Sequence, residues 1–200
     1  MSFDLFVFVP QLPIDLAHRW EQALLECGLH CTFYPGYHPS TWHDAFAPVR
    51  VAVLAQAFPA AAVYGSRPLL TDIELDDMDV TEGEFADIKI SALEDVPVHL
   101  RFALEQATRC IHLHSSAGRT LLQFRLQCCA AATLAVMTEG VLLDLQQGGY
   151  LSGQDALEHA KQVADDYEQR AEPDDWKLTV FRDWSAWDGE LPPETHDEPE

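Results

Sequence analysis

The chain is short of basic residues: twelve Lys and Arg stand against thirty-three Asp and Glu in 200 residues, for a formal net charge of −21. Nucleic acid and anionic membrane surfaces are bound mainly through Lys and Arg that release counterions, so neither is an expected partner. A charge of this sign draws cationic partners from a distance instead. Long apolar runs are missing too, and no window approaches the roughly 18 residues that a membrane span requires. The opening MSFDLFVFVPQ lacks the basic n-region of a signal peptide and reads as a first strand. The cysteines are an odd set, Cys27, Cys31, Cys110, Cys128 and Cys129, without framework spacing; this fits reduced, buried thiols and a cytoplasmic setting rather than disulfides. No repeat of fixed period occurs, and no stretch matches a catalytic motif well enough to name a reaction.

What the chain does have is apolar residues, 48% of the total, enough for a substantial core. Period and punctuation predict strands over 4–9, 30–34, 50–55, 69–77, 86–92, 111–115, 141–145 and 177–184, with the segments 69–77 and 86–92 paired as a hairpin. Helices are predicted from about 15 to 28, from Asp95 to about 109, over 120–139, and from a Ser152/Asp155 capping box to about 170. Interleaved strands and about four helices indicate an α+β fold, a mixed α/β sandwich, with a ferredoxin-like N-terminal half. One domain is expected over 1–190. Residues 191–200, LPPETHDEPE from Leu191 on, read as a disordered acidic tail.

The acids are concentrated. The stretch TDIELDDMDVTEGEFAD, 71–87, carries Asp72, Glu74, Asp76, Asp77, Asp79, Glu82, Glu84 and Asp87 and no Lys, Arg or His. On a strand Asp72, Glu74 and Asp76 share one face at roughly 7 Å intervals. Their mutual repulsion in water is only about half a kcal/mol per neighbouring pair, so a solvated edge strand tolerates it. The EF-hand pattern for calcium fails by spacing: counted from Asp72, Asp77 stands where it needs Gly, and Gly83 where it needs Glu. Residues 171–200 repeat the pattern, with ten acids around Trp176, Trp184 and Trp187, which either seal a core or anchor a basic partner.

Three groupings bear on chemistry. His112 and His114 in IHLHSSAGR lie two apart on one side of a strand, the pattern of a metal pair at a strand end. The barrel enzymes that use it spread further ligands over about 250 residues, more than this chain holds, so hydrogen-bonded imidazoles on a polar strand face are the plainer reading. Cys27, His30, Cys31, His38 and His43 offer thiol and imidazole ligands within seventeen residues, but C-x3-C is not a standard zinc knuckle. The segment SSAGRT, 115–120, could hold an anion at a helix start, yet it lacks the phosphate-loop Lys and reads as a capping turn.

The stretch AAATLAVMTEGVLLDLQQGGYLSGQDAL, 130–157, resembles a pattern in small acidic bacterial proteins of the toxin-immunity type: an Ala-rich helix, a terminating Gly140, a short apolar strand, then a Gly148-Gly149 turn. The resemblance implies a bacterial α+β protein and assigns no catalytic residue. Charge and resemblance together lead to an expected acidic protein-binding module. It would be an immunity or inhibitor protein that covers a basic partner, such as a secreted toxin, through Asp72, Glu74, Asp76, Asp77, Asp79, Glu82 and Glu84, with no cofactor or metal assigned. The alternative is a small metal-dependent or cysteine-dependent hydrolase that uses His112/His114 or the Cys27–His43 cluster.

Overall fold

A computed structural model describes residues 2–42, 45–54, 57–82, 84–147 and 149–187. The tail over 191–200, the end of the expected domain at 190, His43 and Gly148 lie outside these residues, as does the side chain of Glu84.

Period-two alternation in β1 (Phe3–Val9) sends Phe3, Leu5, Val7 and Val9 to one face of the sheet and Asp4, Phe6 and Phe8 to the other. Around it runs one sheet in which every pairing is antiparallel. It comprises β2 (Leu29–Phe33), β3 (Phe46–Val53), β4 (Leu69–Asp79), β5 (Arg109–Ser115), β1, β6 (Val141–Asp144) and β7 (Gly149–Leu151), in that spatial order. β4 is long enough to serve two neighbours. Its first half pairs with β3, its second half with β5, and β8 (Thr179–Val180) joins its Leu69–Leu70 end.

Among the described residues five α-helices cover the sheet unequally. On one face lie α1 (Leu16–Leu24), α4 (Leu121–Met137) and α5 (Gly153–Arg170), over the larger core that includes Trp20, Phe33, Phe58, Leu113 and Phe124. The helix α4 is apolar on every side because it is enclosed by the sheet, α1 and α5; Thr120 and Gln123 form a reciprocal capping box at its start. Trp20 is fully buried and donates its Nε1–H to Ala130 O at 3.0 Å and Thr133 Oγ1 at 3.1 Å. Gly140 ends this segment where β1 passes so close that a Cβ would stand 2.4 Å from Phe8 O. On the opposite face α2 (Glu84–Asp95) and α3 (Val98–Gln106) cover a smaller core around Phe8, Cys110, Val141 and Leu143. They leave the middle of β4, β5 and β1 open on that side.

The mixed α/β fold is as expected, but several details differ. Residues 86–92 form part of α2 rather than a strand: Ile88, Ala92 and Val96, four apart, pack on Val80 and Cys110, while Ile90 is exposed. Short apolar runs satisfy both periods, and here the helical one prevails. The first strand is not set beside β2 and β3 as a ferredoxin-like half requires; it lies between β5 and β6. The expected helix from Asp95 begins only at Val98, with Pro97 as its cap, and the expected strand over 177–184 pairs only at Thr179–Val180. Ser152 precedes α5 but makes no side-chain capping bond. No helix among the described residues is long and apolar enough to cross a membrane.

Candidate metal centre

The open patch on the α2/α3 side is built by register. Glu74 and Asp76 of β4 stand opposite His114 and His112 of β5, and Asp4 and Phe6 of β1 stand opposite the same two histidines from the other side. Residues two apart on a strand share a face, so three strands deliver all six side chains to one surface. The acidic stretch and the H-x-H pair, some forty residues apart in the chain, are therefore neighbours. Asp76, His112 and His114 each offer one ligand atom, and these atoms lie within 4.8 Å of one another; they are the one such group of three among the described residues.

Each imidazole has its own carboxylate. Asp4 Oδ1 lies 3.0 Å from His112 Nε2, and Glu74 Oε1 lies 3.1 Å from His114 Nδ1. A carboxylate that accepts from one ring nitrogen fixes the tautomer and leaves the lone pair on the other. Those other nitrogens, His112 Nδ1 and His114 Nε2, face Asp76 Oδ2 at 3.9 and 3.5 Å. The rings are held in place by stacking: Phe6 on His112 with centroids 4.4 Å apart and planes at 3°, and His112 on His114 at 4.9 Å and 23°. Ser2 Oγ donates to the second oxygen of Asp4 at 3.0 Å.

The donor set suits a transition metal. Zinc takes imidazole nitrogen and carboxylate oxygen at about 2.0–2.2 Å, and donors at that distance stand roughly 3.3–3.5 Å apart at tetrahedral angles. The two carboxylate–imidazole separations, 3.5 and 3.9 Å, are close to that spacing, and all three donor atoms lie within 4.8 Å of one another. The Asp76 side chain is 54% exposed, so solvent reaches the group, and a metal held there would keep a side open to water or substrate. Three protein ligands with one open position is the arrangement of catalytic rather than structural zinc.

The remaining acids of the stretch 71–87 are dispersed. Asp72 shares the face of Glu74 and accepts from Gln123 Nε2 at 2.5 Å. Asp77 points to the other face, is almost wholly buried, and receives Arg109 NH2 at 2.8 Å and Ser40 Oγ at 2.7 Å. Asp79 lies 3.8 Å from Arg109 NH1; the hydroxyl and backbone N–H of Thr81 hold its carboxyl below the usual range. Glu82 and Asp87 are exposed. Much of the expected anionic surface is thus matched by the chain's own groups.

Among the described residues the Cys27–His43 cluster provides no group of three metal ligands. All five thiols are buried and free, and β2 sends Cys31 inward and His30 outward. His38 is engaged with Pro13 O and Ser40 N in a loop. Burial pushes the Cys31, Cys110 and Cys128 thiols far above their ordinary value, which removes them as nucleophiles. The segment 115–120 is a capping turn, with Arg119 folded over the rings of Phe124 and Tyr167. Among the tail tryptophans, Trp184 packs edge-on against Tyr34 and Phe181. Sequence reasoning found His112 and His114 but missed Asp4 and Glu74 as their partners and Asp76 as the third member of the group. The alternation of acids on β4 was visible; its pairing with β5 was not. Compared with family models, curated proteins and solved structures, the chain has no match.

Proposed function

We propose that the chain binds one divalent transition metal ion, zinc by its donor set, through His112, His114 and Asp76, and uses it as a hydrolytic centre. One observation carries this reading: two imidazole nitrogens left free by Asp4 and Glu74 converge on a solvent-open carboxylate. The bare alternative, a surface ion network in which each ring donates to carboxylates from both nitrogens, predicts no metal uptake. Zinc in such a site lowers the pKa of bound water to about 7 and polarises a carbonyl or phosphoryl oxygen. Two His and one carboxylate also suit ferrous iron, so metal identity is part of the test. Cobalt(II) added to metal-free protein should give the visible absorption of a four- or five-coordinate ion, and zinc should confer hydrolysis of an activated amide or ester. Both should vanish in His114→Ala. A cobalt spectrum identical to that of the free aqueous ion would contradict the proposal.

A second reading, the immunity-type module that covers a basic partner, is favoured by the net charge of −21 and by the exposed Asp79, Glu82 and Asp87 at the β4–α2 corner. Such a complex associates by charge steering and weakens steeply as salt rises. Neutralising those three acids together should abolish partner binding and leave metal binding intact. An unchanged affinity would remove this reading.

A further inference from the structure

Beside the metal centre, where β5 ends against the long strand β4 and the start of α4, lies a cleft of about 230 Å³. Glu74 and His114 form its wall toward the metal ligands, and Asp72, Ser115 and Gln127 line it as well. Two of these residues are more than nine-tenths buried and carry a polar atom with no partner. Gln127 uses its amide N–H groups on Phe3 O and Leu113 O, both at 2.9 Å, which leaves Oε1 unmatched, and Ser115 Oγ has no hydrogen bond. A buried polar atom left unpaired costs about 1–3 kcal/mol, so such atoms mark a place that a ligand or ordered water completes.

The chemistry of that ligand follows from what the cleft presents. Gln127 Oε1 and the carboxylates of Asp72 and Glu74 are acceptors, and Ser115 can accept as well. Arg119 also lines the cleft, but its guanidinium donates to Ser116 O at 2.7 Å and lies over the Phe124 and Tyr167 rings. The cleft thus calls for several N–H donors and a positive charge. At about 30 Å³ per water it has room for roughly eight waters, enough for a small cationic group on a short chain and too little for a folded segment.

We infer that this cleft is the specificity pocket of the metal centre and takes the primary ammonium or guanidinium group of a small amide substrate. The inference rests on the metal reading above. With the cation in the cleft, Glu74 and His114 are shared between substrate recognition and the metal centre, so a neighbouring carbonyl is brought to the open coordination position. Hydrolysis adds the oxygen of water to the carbonyl carbon as the C–N bond breaks, and both water protons leave with the departing nitrogen, to give a carboxylate and an ammonium ion; a zinc ion held by His112, His114 and Asp76 would supply the polarisation of the carbonyl and the activation of the water.

Calorimetric titration of the metal-free full chain with ethylguanidine, propylamine and the neutral isostere ethylurea tests the pocket apart from the metal. Ethylguanidine or propylamine should bind at least tenfold more tightly than ethylurea, and the stronger of the two identifies the cation. Asp72→Asn should weaken that binding at least tenfold, as should Ser115→Ala, a second variant should the first fail to fold. His112 stacks on His114 but does not itself line the cleft, so His112→Ala should abolish zinc binding while probe binding persists. Equal binding of ethylurea, no binding of either cation, or full affinity in both Asp72→Asn and Ser115→Ala would overturn the pocket while the metal reading stood. Probe binding in a chain that takes up no zinc would overturn the metal reading and, with it, the role of the cleft as a substrate pocket.

Discussion

Two His–carboxylate groupings sit on opposite faces of the same sheet. On the closed face Asp144, wholly buried, accepts from His159 Nε2 at 2.8 Å and from the backbone N–H groups of Gln146 and Gln147 at 2.9 and 3.1 Å. On the open face Asp76 meets His112 and His114 only at 3.9 and 3.5 Å, beyond good hydrogen-bond length, and is 54% exposed. The histidines themselves are about equally covered, His159 and His112 at 21% and His114 at 25%. The carboxylate makes the difference. Where its lone pairs are engaged by backbone donors, the pair is a clamp that ties α5 to the end of β6. Where they are left facing imidazole nitrogens across a gap, the same residue types form the candidate metal centre.

The sharpest way to break this comparison is to remove the carboxylate on each side. Asp144→Ala strips a buried pair of one partner and should cost about 3–5 kcal/mol of unfolding free energy in a denaturant titration. Asp76→Ala, at an exposed position, should cost less than about 1 kcal/mol by the same measurement while abolishing metal binding. Equal destabilisation by the two would mean that both are structural clamps.

Next in size is the support of the open site. Glu74→Gln or Asp4→Asn should lower zinc affinity about 10–100-fold, read by competition with a chelating dye, because an imidazole without its anionic partner is less well oriented and less basic.

A smaller effect probes the closed face. Thr120→Ala removes the hydroxyl that caps α4 and should destabilise the protein by about 1 kcal/mol without altering zinc uptake. The smallest concerns the thiols: with every cysteine buried, and Cys31, Cys110 and Cys128 pushed toward the neutral thiol, iodoacetamide at neutral pH should label none of them in the native protein. All five should be labelled after unfolding. Rapid native labelling would revive the cysteine-dependent hydrolase.

How much of this could be read from the chain differs between its levels. Alternation in β4 and β5, the capping turn before α4 and the helix stop at Gly140 are local, and each was legible, whereas the start of α3 was placed at Asp95 and lies at Val98. The shared face of Asp72, Glu74 and Asp76 was legible for the same reason, as was that of His112 and His114. The site itself was not, because it depends on β4 finding β5 across the thirty residues that hold α2 and α3, in a register that sets Glu74 opposite His114. Reading 86–92 as a strand hid this further, since a hairpin there would have satisfied the edge of β4 locally. Asp4 was the least visible member: nothing near the start of β1 signals that this strand will lie on the far side of β5 and reach His112.

The account stands on the affinity of three side chains for a metal ion. Titration of zinc into chelator-treated protein, followed calorimetrically, should show one ion bound per chain, and no binding in the double variant His112→Ala/His114→Ala with its fold intact by circular dichroism. Zinc uptake that is absent in the unaltered chain, or undiminished in the double variant, would contradict it.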